Sequence, residues 1–196
     1  PVLEAFSPGM RGGQAIAEII FGDVNPSGKL TISFPYHVGQ QPVHYQQMPG
    51  WHCWVNPGGY IDLPSEPLFP FGFGLSYTSY AYENLRVLTP ELTAGQALRV
   101  TVDVTNTGGR AGVEIVQLYI NDCVSSVTTP RKELKAFARV NLMPGETKTV
   151  ELTVEYEQLG LIGAAGQSVV EPGEFDVMVG ASSRDEDLLT GSMHVV

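Results

Sequence analysis

Three side chains in the stretch HYQQMPGWHCWVNPGGY, residues 44–60, are of types suited to ligand chemistry: Trp51, His52 and Trp54. An indole face matches the apolar C–H face of a pyranose ring, so Trp51 and Trp54 are candidate stacking platforms. His52 is a weaker candidate beside them, and packing beneath the surrounding chain is the plainer role open to all three. The other reactive types are poorly arranged. Asp62 and Glu66 stand four apart, but in proline-rich chain rather than on a helix, so no shared face follows. Asp185, Glu186 and Asp187 read as a solvated turn. His37, His44, His52 and His194 lack metal-ligand spacing, and His52–Cys53 alone makes no metal site. GFGLSY, residues 72–77, has no third glycine and no helix after it, which argues against a phosphate-binding turn. No Ser–His–Asp or Cys–His arrangement follows from spacing. These patterns predict no metal and no cofactor.

The bulk composition narrows the classes. A net charge of −10 argues against nucleic acid and anionic membrane surfaces as partners, since both are polyanions, and leaves neutral ligands open. Only 16% of the residues are charged, against about 25% in an ordinary globular protein, so part of the surface is expected to be covered by other chain. Cys53 and Cys123 are too few for a disulfide framework and are expected as free thiols. No run of apolar residues is long enough for a membrane span. The chain starts at Pro1 without an initiator methionine, which predicts a processed or truncated start.

Three regions would position these residues. In residues 1–35, RGGQAIAEIIF puts Ile16, Ile19 and Ile20 on one helical face, and Gly22 stands where a left-handed cap would end the helix. NPSG at 25–28 has turn chemistry, and Leu30, Ile32 and Phe34 then alternate as in a strand that Pro35 ends. One helix and one strand bury no core, so these residues are expected to be the tail end of an α/β domain. Residues 36–80 are aromatic- and proline-rich with little periodicity, and read as a connector glued to other surfaces rather than a disordered linker. Within it, PLFPFGFGLSYT, residues 67–78, reads as a packed joint whose Gly72 and Gly74 admit angles or approaches that a Cβ forbids. Residues 81–196 return to period two. LRVTVDVTNT, EIVQLYIND, ELKAFARVNL, KTVELTVEY, EFDVMVG and LLTGSMHVV, separated by turn signals, predict six or seven strands of an antiparallel β-sandwich. No tryptophan follows Trp54 and Cys123 is alone there, so a fibronectin type III-like variant fits better than the antibody type. The basic residues of RKELKAFAR, residues 131–139, read as the outer face of a strand.

Read together, SPGMRGGQAIAEIIFGDVNPSGKLTISFP, YIDLPSEPLFPFGFGLSYTSYAYENLRV and NTGGRAGVEIVQLYIND…TTPRKELKAF…LMPGET…VEPGEFDVMVGASS resemble the C-terminal part of a family 3 glycoside hydrolase of the β-glucosidase type. The resemblance runs over essentially all of the chain. It implies a mixed fold, the C-terminal piece of an α/β sandwich domain (1–35), the connector (36–80) and a fibronectin type III-like domain (81–196). It also implies a retaining exo-β-glycosidase acting on terminal β-D-glucosyl residues of oligosaccharides or glycosides, whose two carboxylates both precede Pro1. No catalytic residue is therefore carried over onto this chain, and its expected partners are the upstream catalytic portion and the sugar substrate. Relatives often carry an N-x-x-x-T-G-R-P-like loop where this chain has QQMPGWHCW, which leaves Trp51 and Trp54 as candidates to line the leaving-group side of the pocket. The competing expectation is a free-standing carbohydrate-binding or adhesion sandwich, for which residues 1–35 would have no use.

Overall fold

The computed structural model of the chain describes residues 2–48 and 63–196. From Tyr80 onward, period-two alternation builds two facing sheets. The strands are β1 (Tyr80–Val87), β2 (Glu91–Leu92), β3 (Ala97–Asn106), β4 (Gly112–Asp122), β5 (Glu133–Leu142), β6 (Thr147–Glu155), β7 (Leu161–Ile162), β8 (Ser168–Val169), β9 (Gly173–Gly180) and β10 (Leu188–Val195). One sheet has the order β1-β3-β6 and the other β2-β10-β9-β4-β5, with β7 and β8 forming a separate short hairpin. Pairing is antiparallel apart from the short β2–β10 contact. Inward residues meet in register: Val100 opposes Leu152 and Val102 opposes Val150, while across the second sheet Leu118 opposes Val179 and Ile120 opposes Val177. All eight are buried, together with Phe175, Met193 and Val195. At roughly 1.5–3 kcal/mol for each fully buried apolar side chain, this layer is the main source of stability.

The six strand segments expected from the sequence are all present. The short strands β2, β7 and β8 and the whole of β1 are additional. β1 is disguised by a bulge between Glu83 and Arg86, where Asn84 takes a left-handed φ of 54° that asparagine tolerates.

β4 departs from simple alternation because both of its faces are covered. Val116 through Ile120 are all buried, including Gln117 and Tyr119, which point away from the sandwich core. Their cover is the 67–78 joint. Phe71 packs edge-on against Tyr119, with ring centroids 6.5 Å apart, and Gln117 Nε2 donates to the Gly72 carbonyl at 3.1 Å. Gly72 has φ +78°, and a Cβ there would overlap the Gln117 amide oxygen and the Tyr119 hydroxyl, so no other residue fits.

The N-terminal region differs from expectation in two places. α1 (Gly12–Ile20) forms as predicted, and Gly22, at φ +81°, ends it with its N–H on the Ile19 carbonyl. Residues 29–34 form no regular strand, and the chain bends at Thr31 and Ile32. Their backbone partners are in the joint: Leu30 N–H to Phe73 O at 2.8 Å, Gly72 N–H to Leu30 O at 2.7 Å, and a bridge between Phe34 and Phe69. Alternation records which side of a segment is apolar; it cannot supply the neighbouring strand that makes a ladder. NPSG is likewise no regular turn. Asn25 instead serves as a clamp, its Oδ1 accepting from Ser76 Oγ and Tyr77 N–H and its Nδ2 donating to the Ala111 carbonyl.

Candidate functional site

Trp51, His52 and Trp54 lie outside the described residues, as do Cys53 and Asp62. The residues that flank them are described, and they are firmly held. Gln40 is buried at the end of a short turn and ties the two flanks together. Its Oε1 accepts from the Tyr36 N–H at 2.8 Å, and its Nε2 donates to the carbonyls of Pro64 and Glu66 at 2.8 and 2.9 Å. His37 caps that turn, its Nδ1 accepting from the Gly39 N–H. Further on, Tyr45 stacks on Phe71 with centroids 4.2 Å apart and accepts the Leu134 N–H at its hydroxyl, while the Gln47 carbonyl accepts from Arg131 N–H at 3.0 Å. The chain thus approaches position 49 bonded to β5 and the loop before it, and leaves position 62 bonded to Gln40.

At the foot of these anchors an open groove of about 570 Å³ is lined by Thr31, Ser33, His44, Tyr45 and Phe71, among others. Burial pushes the Tyr45 hydroxyl above its ordinary value, with the Glu133 charge adding and the Leu134 N–H opposing. Burial likewise drives Tyr119 far up. Both phenols stay protonated near neutral pH and serve as stacking and hydrogen-bonding groups rather than as general bases.

The carboxylates do not assemble into an acid–base pair among the described residues. Glu66 is exposed and accepts from Ser65. In the 185–187 turn, Asp185 pairs with Lys132 and Asp187 accepts from Ser182 Oγ at 2.5 Å, so two of its three acids are structural anchors as well as solvated groups. The one buried carboxylate among the described residues is Glu114, which accepts from Lys29 Nζ at 3.0 Å and Tyr82 OH at 2.8 Å. Burial and the adjoining Glu114 charge hold the Tyr82 hydroxyl far above the phenol range. Among the described residues no three His, Cys, Asp or Glu side chains come together as a metal site. The basic residues of the 131–139 stretch are also put to structural use: Lys132 reaches the Ser183 carbonyl and Lys135 pairs with Glu133 at 3.1 Å.

Sequence reading missed Gln40, Tyr45 and the Lys29–Glu114–Tyr82 cluster. A lone glutamine and tyrosine carry no spacing signal, and Lys29 and Glu114 meet across 85 positions of chain. A second set of distant contacts closes the end of α1. Tyr77 OH donates to the Ile19 carbonyl at 2.7 Å, and Arg110 donates to the Gly22 carbonyl with its guanidinium over the Tyr77 ring. These add a second donor to the Ile19 carbonyl, give the Gly22 carbonyl a partner and place a cation at the helix's negative end.

Comparison with known proteins places this geometry. Residues 1–77 match the glycosyl hydrolase family 3 C-terminal domain and residues 114–183 the fibronectin type III-like domain. A β-xylosidase of Formosa agariphila is 46% identical over 194 residues, a match covering 99% of this chain and 27% of that protein. A periplasmic β-glucosidase of Salmonella typhimurium is 40% identical, covering 93% of this chain and 25% of its own length. Among solved structures, a β-glucosidase involved in saponin metabolism from intestinal bacteria superposes with a TM-score of 0.89 at 46% identity, over 96% of this chain and 25% of that one. The β-glucosidase of Listeria innocua in complex with glucose gives 0.87 at 37% identity, over 98% and 27%. The chain spans about a quarter of the length of each of these relatives.

Proposed function

The chain belongs to glycosyl hydrolase family 3, and from that premise we propose that it is the C-terminal segment of a retaining exo-β-glycosidase that removes terminal β-D-glucosyl residues from oligosaccharides or glycosides. Its own part is to complete an α/β domain with residues 1–35, to carry the connector 36–80 across, and to dock the sandwich of residues 81–196. Retention of configuration requires two carboxylates about 5 Å apart, one as nucleophile and one as acid and base. In this reading both come from upstream chain, and the one buried carboxylate among the described residues is already committed to Lys29 and Tyr82. Trp51 and Trp54, with His52, line the leaving-group side of the pocket.

The observation that carries the proposal is the uncovered apolar surface of the N-terminal region. Half of the exposed large apolar side chains among the described residues fall between positions 2 and 38, with Phe21 82% exposed and Val38 72% exposed. The sandwich leaves them uncovered: its hydrogen bonds to this region run from Asn25 to Ala111, from Lys29 to Glu114 and from Arg110 to Gly22, which are polar links. A surface of this kind is suited to burial against further protein. The test is to assay residues 1–196 alone and the intact protein on chromogenic β-glucoside and β-xyloside. Turnover by the intact protein and none by the segment is expected; hydrolysis by the segment alone would overturn the assignment of the carboxylates.

A further inference from the structure

A second cavity lies at the Asp122 end of β4, the other end of that strand from the Arg110 loop that meets the end of α1, and none of the roles above uses it. It is a cleft of about 310 Å³ between the β4–β5 loop and the turn that follows β6. Its lining combines three kinds of group. The inner wall is apolar, with Ile120 and Phe175, both core residues. Ile162, on β7, adds an apolar side chain that is 64% exposed. The polar wall carries Asp122, Thr128 and the Glu133–Lys135 ion pair.

Two of these polar residues have capacity to spare. Asp122 uses one carboxylate oxygen to accept the Val124 N–H at 3.3 Å, and its other oxygen has no partner among the described residues. The Thr128 hydroxyl has none either. The site's formal charge is −1, from Asp122, Glu133 and Lys135, so an anion is disfavoured. The volume lies at the small end of the range for ligand pockets, room for one ring rather than a chain.

We propose that this cleft is a binding pocket for a single neutral pyranose unit. The ring hydroxyls donate to Asp122 and Glu133 and exchange hydrogen bonds with Lys135 and Thr128. The ring's C–H face lies on the apolar side, with Ile162. A pocket offering carboxylate acceptors and an ammonium donor over an apolar floor satisfies both faces of such a ring, whereas a purely apolar ligand would strand the unpaired Asp122 oxygen. The loop that forms the polar wall is also the one bonded to the connector through Arg131 and Gln47. The pocket therefore sits on the same piece of sandwich that steadies the approach to Trp51. The proposal rests on the hydrolytic reading only in that its test blocks the catalytic pocket.

The test uses the intact protein and methyl β-glucoside and methyl β-xyloside, which have no scissile aryl group. Saturation-transfer NMR is recorded with the catalytic pocket blocked by a tight sugar-mimic inhibitor. Binding in the millimolar range is expected, weakened about tenfold by Asp122→Asn and by Ile162→Asp, as loss of one charge-assisted hydrogen bond or of the apolar contact would give. Thr128→Val, an exposed substitution with little to disturb, should weaken it less. Turnover of an aryl glycoside, measured separately, should be unchanged in all three variants. No binding with the catalytic pocket blocked, or binding indifferent to all three substitutions, would overturn the proposal. Loss of aryl-glycoside turnover in wild type would count against the hydrolytic reading alone.

Discussion

Replacing Glu114 with alanine is the perturbation whose size the structure defines best. The carboxylate lies 3.0 Å from Lys29 Nζ, with the two side chains only 3% and 13% exposed. Tyr82 OH donates to the same oxygen at 2.8 Å, and Lys29 has one other partner, the Gly74 carbonyl at 3.4 Å. Glu114→Ala therefore strands an ammonium and a phenolic hydroxyl in a space that water enters poorly. Breaking a buried ion pair from one side costs about 3–5 kcal/mol. Counting instead two lost hydrogen bonds to a charged group, at about 1.5–3 kcal/mol each, gives about 3–6 kcal/mol. Urea denaturation of the intact protein, followed by circular dichroism, measures the loss directly. The triple variant Lys29→Met, Glu114→Leu, Tyr82→Phe removes both charges and the phenol, giving up only the long Gly74 contact, and should recover most of it, because the desolvation cost of the charges disappears with them. A loss below about 1 kcal/mol for Glu114→Ala would put the pair in the class of solvated surface bridges and refute the reasoning.

Three further outcomes are expected. Gly72→Ala should destabilise by about 3 kcal/mol, combining left-handed backbone strain with overlap on Gln117 and Tyr119, whereas Gly109→Ala, which meets open space, should be near neutral; denaturant titration of both compares them. Trp51→Ala should raise KM for disaccharides more than for aryl glucosides, and equal effects on the two would mean that the indole only packs. Burial raises the Asp122 carboxyl, with the Val124 N–H opposing and the Glu171 charge adding. A carboxyl raised in the folded state stabilises when protonated, so that contribution is complete below about pH 4 and is lost as pH climbs through the raised value. Wild type should therefore be close to Asp122→Asn in thermal midpoint at acid pH and fall below it towards neutrality; a wild type that gains on the variant as pH rises would contradict the assigned burial.

The sandwich was legible because each strand declares its buried face by itself. Val100, Val102 and Val104 alternate with polar residues whatever stands opposite, and the turns between strands carry their own glycine and proline signals. What eluded the sequence depends on pairs of distant residues. Leu30, Ile32 and Phe34 have a strand's pattern, yet their partner in this chain is the glycine-kinked joint, so no regular ladder forms. Asn25 has the chemistry of a turn residue, but contacts from Ser76 and Tyr77 recruit it elsewhere. β1 hides behind Asn84, and the near-continuous burial of β4 makes sense only once Phe71 is laid across its outer side. The candidate stacking residues were chosen on side-chain type, and type alone says nothing about what surrounds them.

The bonds of Gln40, Tyr45 and Gln47 have a practical corollary for protein engineering. They act as two fixed posts: one joins the flanks to each other, the other rivets the incoming chain to β5 and its preceding loop. Exchange of the chain between positions 49 and 62 leaves the partners of both posts, on either side of it, in place. Grafting that stretch from a donor is thus a direct test of selectivity, with Gln40, Tyr45 and Gln47 holding its two ends.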